Sequence, residues 1–161
     1  MSRSILVVGA GKSTSYLLDY FLEKSVEEDL KIIIGDINPD GVPEALHRHP
    51  NAEVIPLDIT DAENRKTRVK QADIVVSMLP ASMHLEMARD CLEFGKNLVT
   101  ASYVSEGMRQ LDPEVRGKGL IFMNEIGLDP GIDHMSAMEV IDRIKAAGGK
   151  MLLFESFTGG L

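Results

Sequence analysis

Four apolar residues in a row, Ile5, Leu6, Val7 and Val8, stand near the start of the chain. A run without polar alternation suits a strand covered on both faces, as at the centre of a parallel sheet. Similar runs return at Leu30–Ile34, Ala52–Leu57, Ala72–Met78, Asn97–Thr100 and Leu120–Met123, so six strands are predicted. The segments between them carry helical signals. Tyr16, Leu17, Tyr20 and Phe21 predict a first helix with that stripe against the sheet. Pro43–His49 allows only a short helix before Pro50, and Ala62–Lys70 predicts a polar one that Thr60 or Asp61 would cap. Ser82 is expected to cap a helix over Met83–Phe94, its Met83, Met87, Cys91 and Phe94 facing the core and Gly95 ending it. Ser105 would cap a short helix through Leu111.

Strands separated by helices, with no hairpin signal until late, specify a parallel sheet covered on both sides. The fold class predicted is α/β, a Rossmann-type doubly wound sheet. Beyond the sixth strand the pattern changes. Asp129 predicts a cap for a helix whose first position is Pro130. Ile132, Met135, Met138, Ile141 and Ile144 then share one face before Gly148-Gly149, and Lys150–Phe157 predicts a strand that leaves the first sheet. The division expected is residues 1–125 as a nucleotide-binding domain and residues 126–161 as the beginning of a second α/β domain.

Candidate chemistry concentrates at the strand ends. The turn after the first strand holds Gly9, Ala10, Gly11, Lys12 and Ser13. Two glycines allow a tight turn and a close backbone approach to a pyrophosphate, and the helix that follows aims its unpaired N–H groups at the anion. Thr14 replaces the third glycine of the dinucleotide fingerprint, which predicts wider helix-to-strand packing. The GAGKST string is not a triphosphate loop, because Leu6 stands where that motif needs a glycine. Asp36 ends the second strand roughly twenty residues past the turn, where an acidic side chain accepts from ribose hydroxyls and repels a 2′-phosphate. It favours NAD over NADP, although a turn aspartate before Asn38-Pro39-Asp40-Gly41 would look the same. Asp58, at the end of the third strand, reaches toward adenine or merely closes a turn. Asn124–His134 (NEIGLDPGIDH) crowds Glu125, Asp133 and His134 beside a strand end where a nicotinamide would lie, a crowding that suggests chemistry.

Composition narrows the partners. A net charge of −8 and the lack of a Lys/Arg stripe argue against a nucleic-acid partner. Cys91 is the single cysteine, so neither a disulfide framework nor a cysteine zinc site is available, and a reducing cytoplasm is the expected compartment. No apolar run approaches the ~20 residues that span a bilayer.

Several segments together closely resemble the saccharopine reductase and saccharopine dehydrogenase family of lysine metabolism. They are Leu57–Asp61, Leu79-Pro80 with His84, Val99–Ser105, Asn124–His134, Ala147–Lys150 and the terminal Gly-Gly-Leu. The resemblance implies NAD(P)-dependent hydride transfer at the secondary amine of saccharopine, through an imine, to glutamate and 2-aminoadipate 6-semialdehyde, or the reverse. It implies that Gly9 to Ser13 hold the pyrophosphate, Asp36 the ribose and Asp58 the adenine side. Leu79 and Pro80 would line the nicotinamide approach, Ile126, Gly127 and Leu128 would lie near the ring, and Ser102 and Tyr103 would touch the amino-acid substrate. Tyr103, His84 and Asp129 are the acid–base candidates. NADP-using relatives carry an arginine-containing turn after the second strand, where this chain has Gly35-Asp36-Ile37-Asn38. Family members are longer and dimeric through a second domain, which implies that these residues alone do not turn over substrate. A related imine-forming enzyme such as carboxynorspermidine dehydrogenase, and a non-catalytic NAD-binding domain, fit the same residues.

Overall fold

A computed structural model describes residues 3–157 and Gly159. Strands β1 (Arg3–Val8), β2 (Leu30–Asp36), β3 (Ala52–Pro56), β4 (Ile74–Ser77), β5 (Asn97–Thr100) and β6 (Phe122–Met123) form one sheet in the order β3-β2-β1-β4-β5-β6. Every pairing is parallel. Helices α1 (Ser15–Glu27), α2 (Glu44–Arg48), α3 (Ala62–Gln71), α4 (His84–Phe94), α5 (Glu106–Gly117) and α6 (Ile132–Ala146) complete the chain. The sheet order reverses between β1 and β4, and all carboxyl ends lie along one edge, where open α/β sheets bind their ligands.

The unbroken apolar run of β1 explains its central place. Alternate residues serve opposite layers: Leu6 and Val8 pack with Leu57, Val69, Met87 and Leu98, while Ile5 and Val7 pack with Leu18, Leu22, Ile32 and Ile34. Each such aliphatic side chain contributes about 1.5–3 kcal/mol on full burial, so the six strands predicted from sequence are the ones that form.

Several expectations are corrected. In α1 the residues against the sheet are Leu18, Leu22 and Ser25. Leu17 and Phe21 are only partly buried, and Tyr16 and Tyr20 are 87% and 56% exposed. The segment is apolar on more than one face, so spacing alone did not choose between stripes. Ser82 caps nothing: it lies in a 3-10 turn, Ala81–Met83, and α4 starts at His84 with no side-chain cap. Asp61 caps α3, accepting from the backbone N–H of Glu63 and Asn64. Ser105 caps α5 through the Met108 N–H, but that helix continues past Leu111 and through Pro113 to Gly117. The sixth strand shrinks to Phe122–Met123. Thr14, in place of the third glycine, is fully buried, with its Oγ1 donating to the Gly9 carbonyl at 3.1 Å.

The largest differences fall after β6. Helix α6 begins at Ile132, behind Gly131 at φ 150°, so neither Asp129 nor Pro130 opens it. A Cβ on Gly131 would collide with the Gly127 backbone, which makes glycine obligatory there. Residues 150–157 form no strand, for among the described residues no strand runs beside them to supply the hydrogen bonds. Of the terminal Gly-Gly-Leu, Gly160 and Leu161 lie outside the described residues.

Candidate functional site

The glycine turn sits where β1 meets the reversal of sheet order. Gly9 has φ 95°, and a Cβ there would come within 3.0 Å of the Met78 carbonyl oxygen, so β4 and the turn approach closely only because the side chain is absent. Gly11 is different: a Cβ would meet nothing within 4 Å. Its missing side chain serves no packing need and leaves the backbone open to an approaching group, as a pyrophosphate cradle requires. Lys12 and Ser13 are exposed on the same turn.

Asp36 is held toward this turn from the end of β2. One carboxylate oxygen accepts from the Ala10 N–H at 2.7 Å and the other from the Asn38 N–H at 2.9 Å. Asp58 accepts from both the Oγ1 and the N–H of Thr60, which hold its carboxyl below the usual range. Both aspartates border a cavity of about 260 Å³ that Gly9, Leu57, Leu79 and Pro80 also line. No lysine or arginine lines it. A larger depression of about 570 Å³ lies along α5 and the β6 edge, between Met108 and Asn124, and none of the turn residues borders it.

One wall of the smaller cavity is fixed from behind by a residue that the pattern of the sequence did not single out. Arg65 of α3 is 7% exposed and donates through Nη1 to the Ile59 carbonyl at 2.5 Å and through Nε to Asp90 of α4 at 2.5 Å. Asp90 is itself 3% exposed. The pair ties the Asp58–Thr60 loop to α4. Polar residues on two separate helices give no sequence signal that they meet.

The second cluster lies past β5. The Tyr103 hydroxyl donates to Asp129 Oδ1 at 2.7 Å, and this bond, with burial and the surrounding acidic charge adding, pushes the phenol above its ordinary value. Asp129 thus serves Tyr103, not α6. Glu125, at φ 62°, clasps the same loop: its N–H donates to the Ser102 carbonyl at 3.1 Å and its Oε1 accepts from the Val104 N–H at 3.0 Å. Ile126 donates its N–H to the Thr100 carbonyl at 3.4 Å, and Gly127 lies against Ala101. Leu128 is 76% exposed. Ile126 and Gly127 therefore border the end of β5, and none of these three residues lines the cavity that Leu79 and Pro80 border. Asp133 and His134 stand close by, their ring and carboxylate atoms within 4.8 Å of those of Asp129. The Asp133 carboxylate raises His134 above the ordinary histidine value.

His84 lies beneath this surface, 4% exposed, with Ser77 Oγ at 2.8 Å from Nδ1 and Ser102 Oγ at 2.8 Å from Nε2. Burial lowers its pKa. Cys91 is fully buried, and burial pushes its thiol up to about 12, which removes it from nucleophilic chemistry.

Residues 5–123 match the model of the saccharopine dehydrogenase NADP binding domain. The chain belongs to the saccharopine dehydrogenase family. Residues 127–161 match the family's C-terminal domain. The L-glutamate-forming, NADP(+) saccharopine dehydrogenase of Saccharomyces cerevisiae is 32% identical over all of this chain and 35% of its own length. Alpha-aminoadipic semialdehyde synthase of Arabidopsis thaliana is 34% identical over 98% of this chain and 16% of its own. The apo structure of the yeast L-Glu-forming enzyme superposes with a TM-score of 0.79 at 30% identity, over 91% of this chain and 32% of that one. The chain thus spans about a third of the yeast enzyme's length. The turn, the cavity and Asp36 fall within the domain by which this family holds a nicotinamide cofactor.

Proposed function

We propose that this chain is the cofactor-binding part of an NAD-dependent oxidoreductase that oxidises saccharopine to glutamate and 2-aminoadipate 6-semialdehyde through an imine, or runs the reverse condensation. The observation that carries the reading is the Tyr103–Asp129 pair at the carboxyl end of β5, on the same sheet edge as the glycine turn. A bound nicotinamide dinucleotide supplies the acceptor for the hydride. Gly9 to Ser13 would take its pyrophosphate, Asp36 the ribose, Asp58 the adenine side, and Leu79 and Pro80 the nicotinamide approach.

The remaining chemistry is proton transfer. A phenol held above its ordinary value keeps its proton at neutral pH, so Tyr103 donates to the amine nitrogen that leaves when the C–N bond breaks. Asp129 accepts from the incoming water. Together with Glu125 and Asp133 it gives this end of the sheet a negative field suited to a cationic amine, and Ser102 borders the substrate. Residues 126–161 read as the beginning of a second domain that completes the substrate site and joins two copies of the whole protein.

The two dinucleotides are separated by charge. NADP appears in the description of the matched domain and in the name of the yeast relative. Here a 2′-phosphate would enter a cavity bordered by two aspartates and no cation. A carboxylate fixed by two backbone N–H groups cannot swing away without leaving both unpaired. The reading is therefore NAD. Its test is steady-state turnover of saccharopine by the whole protein with each dinucleotide. Faster turnover with NAD is expected; preference for NADP would overturn the cofactor reading, and turnover of a different secondary amine alone would overturn the substrate.

A further inference from the structure

We infer that His84 is a positioning residue, an uncharged clamp that joins Ser77 at the end of β4 to Ser102 beyond the end of β5 and so sets where Tyr103 presents its hydroxyl. The role of Tyr103 in this inference rests on the function proposed above. The last registered pair between these strands is Ser77 with Thr100. Past it the two chains diverge, β4 toward Pro80 and β5 toward Tyr103, and no ladder bond holds them. His84 fills that gap. Its Nδ1 meets Ser77 Oγ and its Nε2 meets Ser102 Oγ, each at 2.8 Å, with Thr100 Oγ1 at 3.1 Å from Nε2. Ser102 is then gripped twice, its hydroxyl by the imidazole and its carbonyl by the Glu125 N–H at 3.1 Å. The next residue carries the phenol that reaches Asp129.

The same geometry argues against proton transfer through His84. A relay needs an exit at both ends, and Ser77 is fully buried. No carboxylate touches the ring, unlike that of His134. An imidazole with hydroxyls at both nitrogens satisfies one donor and one acceptor without charge, since a serine hydroxyl fills either role. Burial, which lowers its pKa, works in the same direction.

The test is made on the 161-residue chain and reads Tyr103, one of three tyrosines, by NMR of isotope-labelled tyrosine. In the unmodified chain the Tyr103 ring should titrate above the ordinary tyrosine value. His84→Ala should move that midpoint back toward the ordinary value, and His84→Gln, which keeps a donor and an acceptor, should restore at least part of the shift. Ser102→Ala removes the grip without emptying the core, so it should give the His84→Ala result even where His84→Ala does not fold. An unchanged Tyr103 midpoint in Ser102→Ala or in a folded His84→Ala overturns the inference. Asp129→Asn separates the two readings: it should remove the largest part of the shift, and a shift that survives it undiminished would refute the Tyr103–Asp129 pair and not the clamp.

Discussion

Helices α4 and α6 both repeat methionine and aliphatic side chains at helical spacing, yet α4 buries Met87, Ala88, Cys91 and Leu92 while α6 buries none of its residues. On α6, Ile132, Met135 and Met138 are 61%, 57% and 47% exposed. The difference is one of partners. Helix α4 lies across β4 and β5 and is bonded to α3 through Arg65. Helix α6 is anchored at its start, by the Ile132 and Asp133 N–H groups on the carbonyls of Gly127 and Leu128. An apolar stripe therefore records that a face is to be covered, without saying by what. The change coincides with the change of matched domain after residue 123.

Breaking the link beneath α4 should have the largest effect. Asp90→Ala leaves the Arg65 guanidinium charged, buried and half-satisfied, and removal of one partner of such a pair costs about 3–5 kcal/mol. Denaturant unfolding measures it, and a loss within about 0.5 kcal/mol, as for an exposed site, would show that the pair is open to water. Asp90→Ala should also weaken binding of ADP-ribose, because Arg65 would lose the group that holds it against the Ile59 carbonyl. The two helices can then be set against each other directly. Met87→Ala should cost about 2–5 kcal/mol, as methionine truncation in a closed core does. Met138→Ala in the same chain should stay within about 0.5 kcal/mol. Equal losses would mean that the stripe on α6 is covered in solution.

The sequence made the first of these regions far more legible than the second. The central strand β1 was visible because a strand covered on both faces is apolar at successive positions, a signal independent of helix packing, and the other five strands keep enough of that pattern to be placed. Gly9 was readable for a similar reason, since only glycine accepts φ 95° against the Met78 carbonyl. Asp129 was not. An Asp-Pro pair before an apolar stripe looks like a helix start, and what redirects the carboxylate is Tyr103, which approaches only after the chain has run through α5 and β6. His84 and Arg65 were illegible as clamps, because burial of a polar side chain depends on neighbours from three or four separate segments. Asp36 stands between these cases: its place was readable from spacing, and the two backbone bonds that lock it were not.

That lock gives a prediction of intermediate size. Asp36→Ala frees the Ala10 N–H and removes a fixed negative charge from the cavity rim. Binding of NADPH relative to NADH, followed by nicotinamide fluorescence, should rise by about tenfold, the equivalent of ~1.4 kcal/mol. An unchanged ratio would place the ribose elsewhere. Glu125 offers no such shift, since it faces the Tyr103 loop and not the cavity.

The smallest effect expected separates the two regions through their histidines. His134 is exposed beside Asp133, with Nδ1 and Oδ1 at 2.7 Å, and its pKa is raised by that bond and by the charge behind it. Unfolding returns it to the ordinary value. A group whose folded pKa is the higher one contributes stability that is complete below the unfolded value and fades as pH rises through the folded one. His84 has the opposite sign. Burial lowers it, so its neutral form is favoured on folding, and stability is lost as pH falls through the ordinary histidine range. Ring NMR of the chain should therefore show His134 titrating above the ordinary midpoint and His84 below it. Asp133→Asn should move His134 back toward the ordinary value and leave His84 where it was, because no hydrogen bond joins the clamp under β5 to the side chains at the start of α6. Movement of both together would mean that the loop from Glu125 to Gly131 transmits the change, and that the two regions act as one.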